Sequence, residues 1–173
     1  RSDLWSRVPC GRVLELGIGT GKNIRHHPFG CSVIGLDLSP KMLARARRKA
    51  ARRNAPVTLE IGDAQRLGHP DGSFDIVVAT FLFCSVPDPV LGLREARRVL
   101  TPGGRLLLLE HVLSHRPLLR TLMRWVDPIP FHVWGAHIDR DTVGNVRRAG
   151  FVEVVDTDLS LDVVKRIEAV APA

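Results

Sequence analysis

The sequence Val13-Leu14-Glu15-Leu16-Gly17-Ile18-Gly19-Thr20-Gly21-Lys22-Asn23 places an apolar run with one acid directly before three glycines spaced two residues apart. A nearly continuous apolar run is typical of a buried parallel strand, and glycines allow the backbone to turn sharply beside a ligand. A buried carboxylate requires a partner, because an unpaired buried charge is costly. We therefore expect a ligand-binding loop here, and a cation on the ligand is the simplest partner for Glu15.

Composition indicates one globular domain over residues 1–173, with 45% hydrophobic and 25% charged residues. No apolar run approaches the roughly 20 residues that a membrane span requires, and no signal peptide is recognisable. Three scattered cysteines do not form a disulfide framework or a zinc site, so we expect no metal and a reducing cytoplasm. The sequence begins at Arg1 without Met, and we expect a preceding lid segment to be absent or short.

The net charge of +7 raises the possibility of an anionic partner, either a nucleic acid or a lipid surface. Aromatic residues make up only 5% of the chain, and Tyr is missing. Proteins that bind single-stranded nucleic acid stack bases on aromatic side chains, so this composition argues against such a platform.

Strand-like and helix-like segments alternate along most of the chain, which predicts an α/β fold with a doubly wound, mainly parallel sheet. Only a few residues around Leu159 separate the last two strands, which is too short for a parallel crossover and predicts a C-terminal antiparallel hairpin. The predicted strands cover residues 12–17, 31–37, 57–61, 74–80, 105–110, 151–158 and 163–170. The predicted helices cover residues 40–53, 89–100, 114–126 and 140–149, with a short one before Pro28.

Three acids fall at the ends of predicted strands: Glu15, Asp37 and Asp63. In open α/β sheets, ligands bind beyond the carboxyl ends of the strands. Asp37 lies 20 residues after Gly17, the spacing at which a carboxylate meets the ribose hydroxyls of a bound nucleoside. Asp63 is then placed to accept a hydrogen bond from an adenine amine. Asp75 begins its strand at the opposite edge, and we interpret it as structural.

A dinucleotide is the competing ligand for this loop. Its GxGxxG fingerprint requires a third glycine at position 22, where this chain has Lys22. The GxGxG pattern alone is weak evidence, but together with the three strand-end acids it favours a single nucleoside.

These motifs resemble those of the class I S-adenosylmethionine-dependent methyltransferases, in the methyltransferase type 11 group. Residues 13–23 are similar to the first motif of that family, residues 35–43 to the second, residues 62–64 to the third, and residues 99–105 to the lead into the fifth strand. The resemblance covers about residues 10–158. It implies a seven-stranded Rossmann-like sheet, with S-adenosyl-L-methionine as methyl donor and S-adenosyl-L-homocysteine as product.

The resemblance also implies a role for each matching residue in cofactor binding. Glu15 would meet the α-amino group of the cofactor directly or through water, and Asp37 would hold the ribose. The other residues carried over are Gly17, Gly19, Gly21 and Asn23 beside the methionine part, Leu38, Met42, Asp63 and Ala64 around the adenine, and Thr80 and Phe81 facing the sulfonium.

The residues that would act on the methyl acceptor are harder to assign, because methyl transfer needs a base only when the acceptor must lose a proton. The candidates for catalysis are Glu110, His111 and Cys84, with Asp88, His132, Trp134 and His137 as further candidates. The alternative for Cys84 is a small core residue, and the alternative for each later histidine is an ordinary surface position.

Residues 83–89 and 108–112 resemble a narrower branch that contains phospholipid N-methyltransferases, quinone C-methyltransferases and thiol methyltransferase-like proteins. This resemblance implies a small, lipophilic acceptor. Two other functions stay open: an RNA-modifying methyltransferase, suggested by the net charge, and a non-catalytic nucleotide-binding module.

Residues 114–126 carry Arg116, Arg120 and Arg124 as one stripe on an apolar helix. Such a helix can rest on an anionic bilayer, which would give a cytoplasmic protein peripheral contact with the membrane. No RNA-binding appendage is recognisable in the sequence, so we do not expect a nucleic-acid partner. The alternative is a helix packed on the sheet with a solvated stripe. For a second basic cluster, residues 45–53, a solvated face is the favoured interpretation.

Overall fold

Seven strands form one sheet in the computed structural model, which describes residues 1–112, 140–160 and 163–173. In chain order they are β1 (Arg12–Leu16), β2 (Ser32–Asp37), β3 (Val57–Ile61), β4 (Phe74–Thr80), β5 (Leu100–His111), β6 (Val152–Ser160) and β7 (Val164–Val170). Their order across the sheet is β3-β2-β1-β4-β5-β7-β6. Strands β1 to β5 are parallel, and β7 is antiparallel to both of its neighbours.

Helices cover both faces of this sheet. They are α1 (Ser2–Trp5), α2 (Pro40–Arg53), α3 (Pro89–Val99) and α4 (Thr142–Arg148), with one 3₁₀ turn at Ile24–His26. Helices α3 and α4 pack on the face that carries Leu14 and Leu16, whereas α1 packs on the face that carries Val13. Helix α2 lies on the α1 side, since Val57 packs against the clusters of both helices.

Short-range sequence signals begin and end the helices. The side chain of Ser39 accepts a hydrogen bond from the Met42 N–H at 3.3 Å, and Pro40 occupies the first helical position of α2. Asn54, with φ 48°, ends α2 in the left-handed conformation. Asp88 caps α3 in the same way as Ser39 caps α2, by accepting from the Leu91 N–H at 3.0 Å.

The parallel register brings the functional segments to one edge of the sheet. Leu16 of β1 lies beside Leu36 of β2 and beside Ala79 of β4. The residues that follow these three strands therefore meet at the carboxyl edge. The chain leaves β1 in one direction towards β3 and returns to β4 on the other side, which makes this edge the point where strand order reverses and where ligands bind in such folds.

The predicted α/β class, the mainly parallel sheet and the C-terminal antiparallel hairpin are confirmed. Strand β5 is longer than the predicted range of 105–110. The N–H of Gly103 and the carbonyl of Gly104 pair with Ala171 and extend the ladder before Arg105. The predicted helix at 114–126 lies outside the described residues. No helix within the described ranges is long and apolar enough to cross a membrane.

Candidate functional site

A cleft of about 350 Å³ lies at the carboxyl edge of the sheet. Its walls are Gly17 after β1, Asp37 and Leu38 after β2, the residues around Asp63 after β3, and the segment 82–87 after β4. Apolar side chains dominate the lining, with a few polar groups at fixed positions, which is the usual character of a small-molecule site.

The glycine loop has a left-handed backbone at each of its three glycines, with φ 65° at Gly17, 56° at Gly19 and 70° at Gly21. A Cβ at Gly17 would lie 2.8 Å from Leu82 Cδ1, and one at Gly21 would lie 2.6 Å from Ile24 Cδ1. A Cβ at Gly19 would come no closer than 3.9 Å, to the carbonyl oxygen of Gly17. Gly17 and Gly21 therefore pack against the protein, while Gly19 faces open space.

Asp37 ties this loop to the end of β2. Its Oδ2 accepts a hydrogen bond from the Gly19 N–H at 2.8 Å, and its Oδ1 accepts one from the Ser39 N–H at 2.9 Å. A carboxylate has about four acceptor positions, so each oxygen can still accept from a second donor. The arrangement leaves Asp37 able to bind two neighbouring hydroxyl groups.

The other end of the cleft combines apolar surface with hydrogen-bonding groups. Leu38 is 68% exposed beside the cleft, and Met42, in the first turn of α2, is 40% exposed. Asp63 accepts from the Gln65 N–H at 2.8 Å, which orients its carboxylate next to the buried Ala64. An aromatic base between these apolar side chains, with its amine on a carboxylate, fits this geometry. The residues present therefore fit an adenosyl cofactor.

Glu15 lies in a polar network behind the loop rather than in the lining of the cleft. It is fully buried, and its Oε1 accepts from Asn23 Nδ2 at 2.7 Å, while His27 Nε2 lies 2.8 Å from its Oε2. Thr80 accepts from Asn23 Nδ2 at 2.9 Å and from the Arg1 guanidinium at 2.7 Å. The partner that we expected on the ligand is thus supplied within the chain, by Asn23 and His27.

Glu110, at the end of β5, is fully buried and supports the segment that follows β4. Its Oε1 accepts from the N–H groups of Leu82 and Phe83 at 2.9 and 3.1 Å, and its Oε2 has no partner among the described residues. Burial raises the pKa of this carboxyl to about 7. Glu110 therefore connects β5 to a wall of the cleft and changes its charge near neutral pH.

His111 and Phe81 form an aromatic pair beside Glu110. Their ring centroids lie 4.6 Å apart with a tilt of 31°. Phe81 adopts a left-handed φ of 55°, and its N–H donates to the carbonyl of Leu109 at 2.8 Å. Burial lowers the pKa of His111 below its ordinary value, so the imidazole is neutral at neutral pH.

Two other candidates from the sequence have environments that do not favour catalysis. Burial raises the pKa of the Cys84 thiol to about 11, which keeps it protonated and weakly nucleophilic. Asp88 caps α3 and accepts from a backbone N–H there. Asp75 hydrogen-bonds both the N–H and the guanidinium of Arg12 at the opposite edge, in the structural role expected for it. His132, Trp134 and His137 lie outside the described residues.

The structure adds residues to the site that sequence reasoning missed. Gln65 and Leu82 line the cleft, and His27 and Arg1 complete the network around Glu15 and Thr80. Gln65 directly follows the third motif, and this adjacency is a signal that could have indicated it. Arg1 and Thr80 are 79 positions apart, and no pattern in the sequence connects them.

Curated proteins with related sequences are methyltransferases that act on different acceptors. The chain is 44% identical over 102 residues to a demethylmenaquinone methyltransferase of Deinococcus radiodurans, covering 57% of this chain and 42% of that protein. It is 41% identical over 103 residues to a phosphatidylethanolamine N-methyltransferase of Cereibacter sphaeroides, covering 58% and 51%. It is 37% identical over 153 residues to a human thiol S-methyltransferase, covering 82% and 60%. The chain thus spans about half the length of these relatives.

A solved structure and a family model agree with these relatives. An S-adenosylmethionine dependent methyltransferase from Mesorhizobium loti superposes with a TM-score of 0.71 at 25% identity, covering 97% of this chain and 95% of that one. The family model described as a methyltransferase domain matches residues 14–108, which is more than half of the chain and contains the glycine loop, the three strand-end acids and most of β5. The chain therefore belongs to the methyltransferase domain family.

Proposed function

We propose that this chain transfers a methyl group from S-adenosyl-L-methionine to a small, lipophilic acceptor. The observation that carries the proposal is the carboxyl-edge cleft, in which Asp37 is hydrogen-bonded to the open glycine of the loop. Membership of the methyltransferase domain family supports the methyl donor. The cofactor supplies an activated methyl group on a positively charged sulfur. The chain itself must therefore bind and orient the cofactor and the acceptor, and it must exclude water.

The residues that hold the cofactor in this proposal surround the cleft. Asp37 accepts from the two ribose hydroxyls, and Asp63 accepts from the adenine amine. Leu38 and Met42 pack on the ring, while the N–H of Ala64 points to its edge. Gly17, Gly19 and Gly21 give the loop a backbone that lies close to the methionine part.

Glu15, Asn23 and Thr80 act in this proposal as positioning residues. Their network is buried behind the loop, where Asn23 bridges the carboxylate of Glu15 and the hydroxyl of Thr80. A fully hydrogen-bonded buried network is rigid, and here it anchors the loop to the ends of β1 and β4. Through Asn23 these residues set the position at which the methionine part is held.

The acceptor side of the cleft is mainly apolar, and this favours a lipophilic acceptor. Leu82 and Val86 line the cleft here, and Phe81, directly before Leu82, stacks on His111. The relatives act on demethylmenaquinone, on phosphatidylethanolamine and on a thiol, which supports the same acceptor class. We place the reaction in the cytoplasm, at or near a membrane surface.

His111 is the base in this proposal when the acceptor must lose a proton. Its imidazole is neutral and half-buried beside Phe81 at the end of β5, so it can accept a proton there. Glu110 holds the segment 82–83 through two backbone N–H groups and acts as a positioning residue. Cys84 fills space beside it, because its protonated thiol is a poor nucleophile.

The test is a transfer assay with S-adenosyl-L-methionine labelled on the methyl group. The acceptors are a demethylated quinone, phosphatidylethanolamine, an alkyl thiol and transfer RNA, the last because of the net charge of +7. We expect label in an organic-soluble product, and none with Asp37→Ala. Label in RNA alone would support the RNA-modifying alternative. Cofactor binding with no transfer to any acceptor would support a non-catalytic module.

A further inference from the structure

A cationic groove of about 310 Å³ lies on the α2 side of the sheet, apart from the cofactor cleft. Its lining consists of Arg1, Lys22, Arg25, Lys49 and Arg53, and no acidic residue in the described part of the chain contributes to it. Lys22 and Arg25 come from the segment after the glycine loop, whereas Lys49 and Arg53 lie one turn apart on α2. Together with Arg1, which precedes α1, three separate parts of the chain therefore place positive charge in one concave surface.

The charges of this groove are not neutralised by the described parts of the chain. Half of the fourteen residues of α2 are Lys or Arg, and the helix contains no Asp or Glu. Within residues 1–112, 140–160 and 163–173, no ion pair involves Lys22, Arg25, Lys49 or Arg53. By contrast, Arg98 on α3 is paired with both Glu95 and Asp71. Like charges held together without counter-charges repel one another and attract an anionic partner.

A second depression, of about 270 Å³, adjoins the groove and shares Arg25 and Arg53 with it. Its remaining lining is largely apolar and includes Pro28, Phe29 and Pro56. Phe29 is fully exposed, in the connection between the 3₁₀ turn and β2. An exposed aromatic ring beside clustered cations matches the interface of a bilayer, where phosphates meet acyl chains.

We propose that the cationic groove and Phe29 form a docking surface for a bilayer that contains anionic phospholipids. The phosphates lie against Arg25, Lys49 and Arg53, and the Phe29 ring enters the apolar boundary beneath them. A single exposed aromatic ring is a poor platform for successive bases, so the surface fits a bilayer better than single-stranded RNA. This inference does not depend on the identity of the methyl acceptor.

The main test is vesicle cosedimentation of the 173-residue chain and of the triple variant Arg25→Gln, Lys49→Gln and Arg53→Gln. Vesicles of phosphatidylcholine mixed with phosphatidylglycerol are compared with pure phosphatidylcholine. One Lys or Arg near an anionic surface contributes roughly 1 kcal/mol, which corresponds to about fivefold in partitioning. We expect the triple variant to bind anionic vesicles on the order of 100-fold more weakly.

A matched control removes the same charge from the opposite face of the sheet. Arg94 on α3 and Arg147 and Arg148 on α4 are exposed, and their triple replacement by Gln also lowers the net charge by three. If binding comes from this groove, the control triple variant binds nearly as well as the unchanged chain. An equal loss in the two triple variants would mean that only net charge matters, and it would overturn the proposal.

The apolar part of the surface is tested separately with Phe29→Ser. This side chain makes no core contact, so the variant folds normally and keeps its affinity for S-adenosyl-L-homocysteine. Burial of a Phe ring is favourable by at least about 1.5 kcal/mol, so we expect roughly tenfold weaker vesicle binding. The salt dependence of binding stays unchanged, because no charge is lost.

Three further results would contradict the inference. One is binding of the unchanged chain to pure phosphatidylcholine as strongly as to anionic vesicles. Another is unchanged binding of both the groove triple variant and Phe29→Ser. The third is binding of transfer RNA, measured by fluorescence anisotropy, that is tighter than vesicle binding and is lost with the same groove triple variant. Methyl transfer to a water-soluble acceptor is unaffected by these variants, so failure here leaves the proposed activity standing.

Discussion

The two sides of the carboxyl-edge cleft are built differently. On the proposed cofactor side, the carboxylates that line the cleft bind residues no more than 18 positions away: Asp37 accepts from Gly19 and Ser39, and Asp63 accepts from Gln65. On the acceptor side, contacts join distant segments: Glu110 accepts from Leu82 and Phe83, and His111 stacks on Phe81. One side is organised by a local motif and the other by the packing of β4 against β5.

This difference determines which substitutions each side of the cleft tolerates. The proposed cofactor side depends on particular backbone conformations and on the carboxylates of Asp37 and Asp63, so we expect a single substitution there to weaken binding sharply. The acceptor side depends on a buried acid and an aromatic pair, which allow the acceptor and the pH response to change while the cofactor site stays intact. Substitutions on one side should therefore leave the other unaffected.

The largest expected effect is that of Asp37→Ala on cofactor binding. The variant loses the two ribose hydrogen bonds that we propose and the contact that holds Gly19, and hydrogen bonds to a charged group contribute about 1.5–3 kcal/mol each. We expect the affinity for S-adenosyl-L-homocysteine to fall roughly 10³-fold in calorimetry. Asp75→Ala is the matched control, because it removes a carboxylate paired with Arg12 at the opposite edge. Similar losses in both variants would contradict the assignment.

His111→Phe tests the base on the acceptor side while preserving an aromatic ring beside Phe81. A positioned general base contributes at least about 100-fold to a rate, so kcat should fall by about that factor for acceptors that lose a proton. Cofactor affinity should not change. For the unchanged chain, kcat should decrease as the pH falls below the lowered pKa of His111, because the protonated imidazole cannot accept a proton. An unchanged kcat in the variant would exclude His111 as the base.

Glu110→Gln tests whether protonation of Glu110, on the proposed acceptor side, makes the free energy of unfolding depend on pH. The raised pKa of Glu110, about 7, means that the folded protein holds a proton which the unfolded chain releases near its ordinary pKa of 4.5. The free energy of unfolding should therefore decrease as pH rises between these two values, by on the order of 3 kcal/mol from this group. The free energy of unfolding of the variant should lack this pH-dependent contribution. Parallel pH curves for the two proteins would show that Glu110 does not titrate as described.

Cys84→Ala should have the smallest effect. The thiol is buried and protonated, so its loss removes little more than one small apolar group from the packing. We expect kcat to stay within about twofold, and the melting temperature to fall by a few degrees, consistent with roughly 1 kcal/mol. A loss of activity that Cys84→Ser restores would identify the side chain as functional after all.

The residues that we propose for the cofactor side could be chosen from the sequence because they belong to local motifs. The glycine spacing, the distance from Gly17 to Asp37 and the cap at Ser39 are visible within a few dozen residues. It did not predict that Asn23 and His27 satisfy Glu15, since a strand-end acid does not reveal its partner. On the acceptor side, Glu110 and His111 were recognisable as strand-end residues, but the hydrogen bonds to Leu82 and Phe83 arise only from the packing of β4 beside β5.

The most direct test of the division into two sides is a calorimetric titration of S-adenosyl-L-homocysteine into the unchanged chain, Asp37→Ala and Glu110→Gln under one set of conditions. We expect Asp37→Ala to bind roughly 10³-fold more weakly, while Glu110→Gln binds within about threefold of the unchanged chain. Binding that is retained by Asp37→Ala, or lost to the same extent in both variants, would contradict this division.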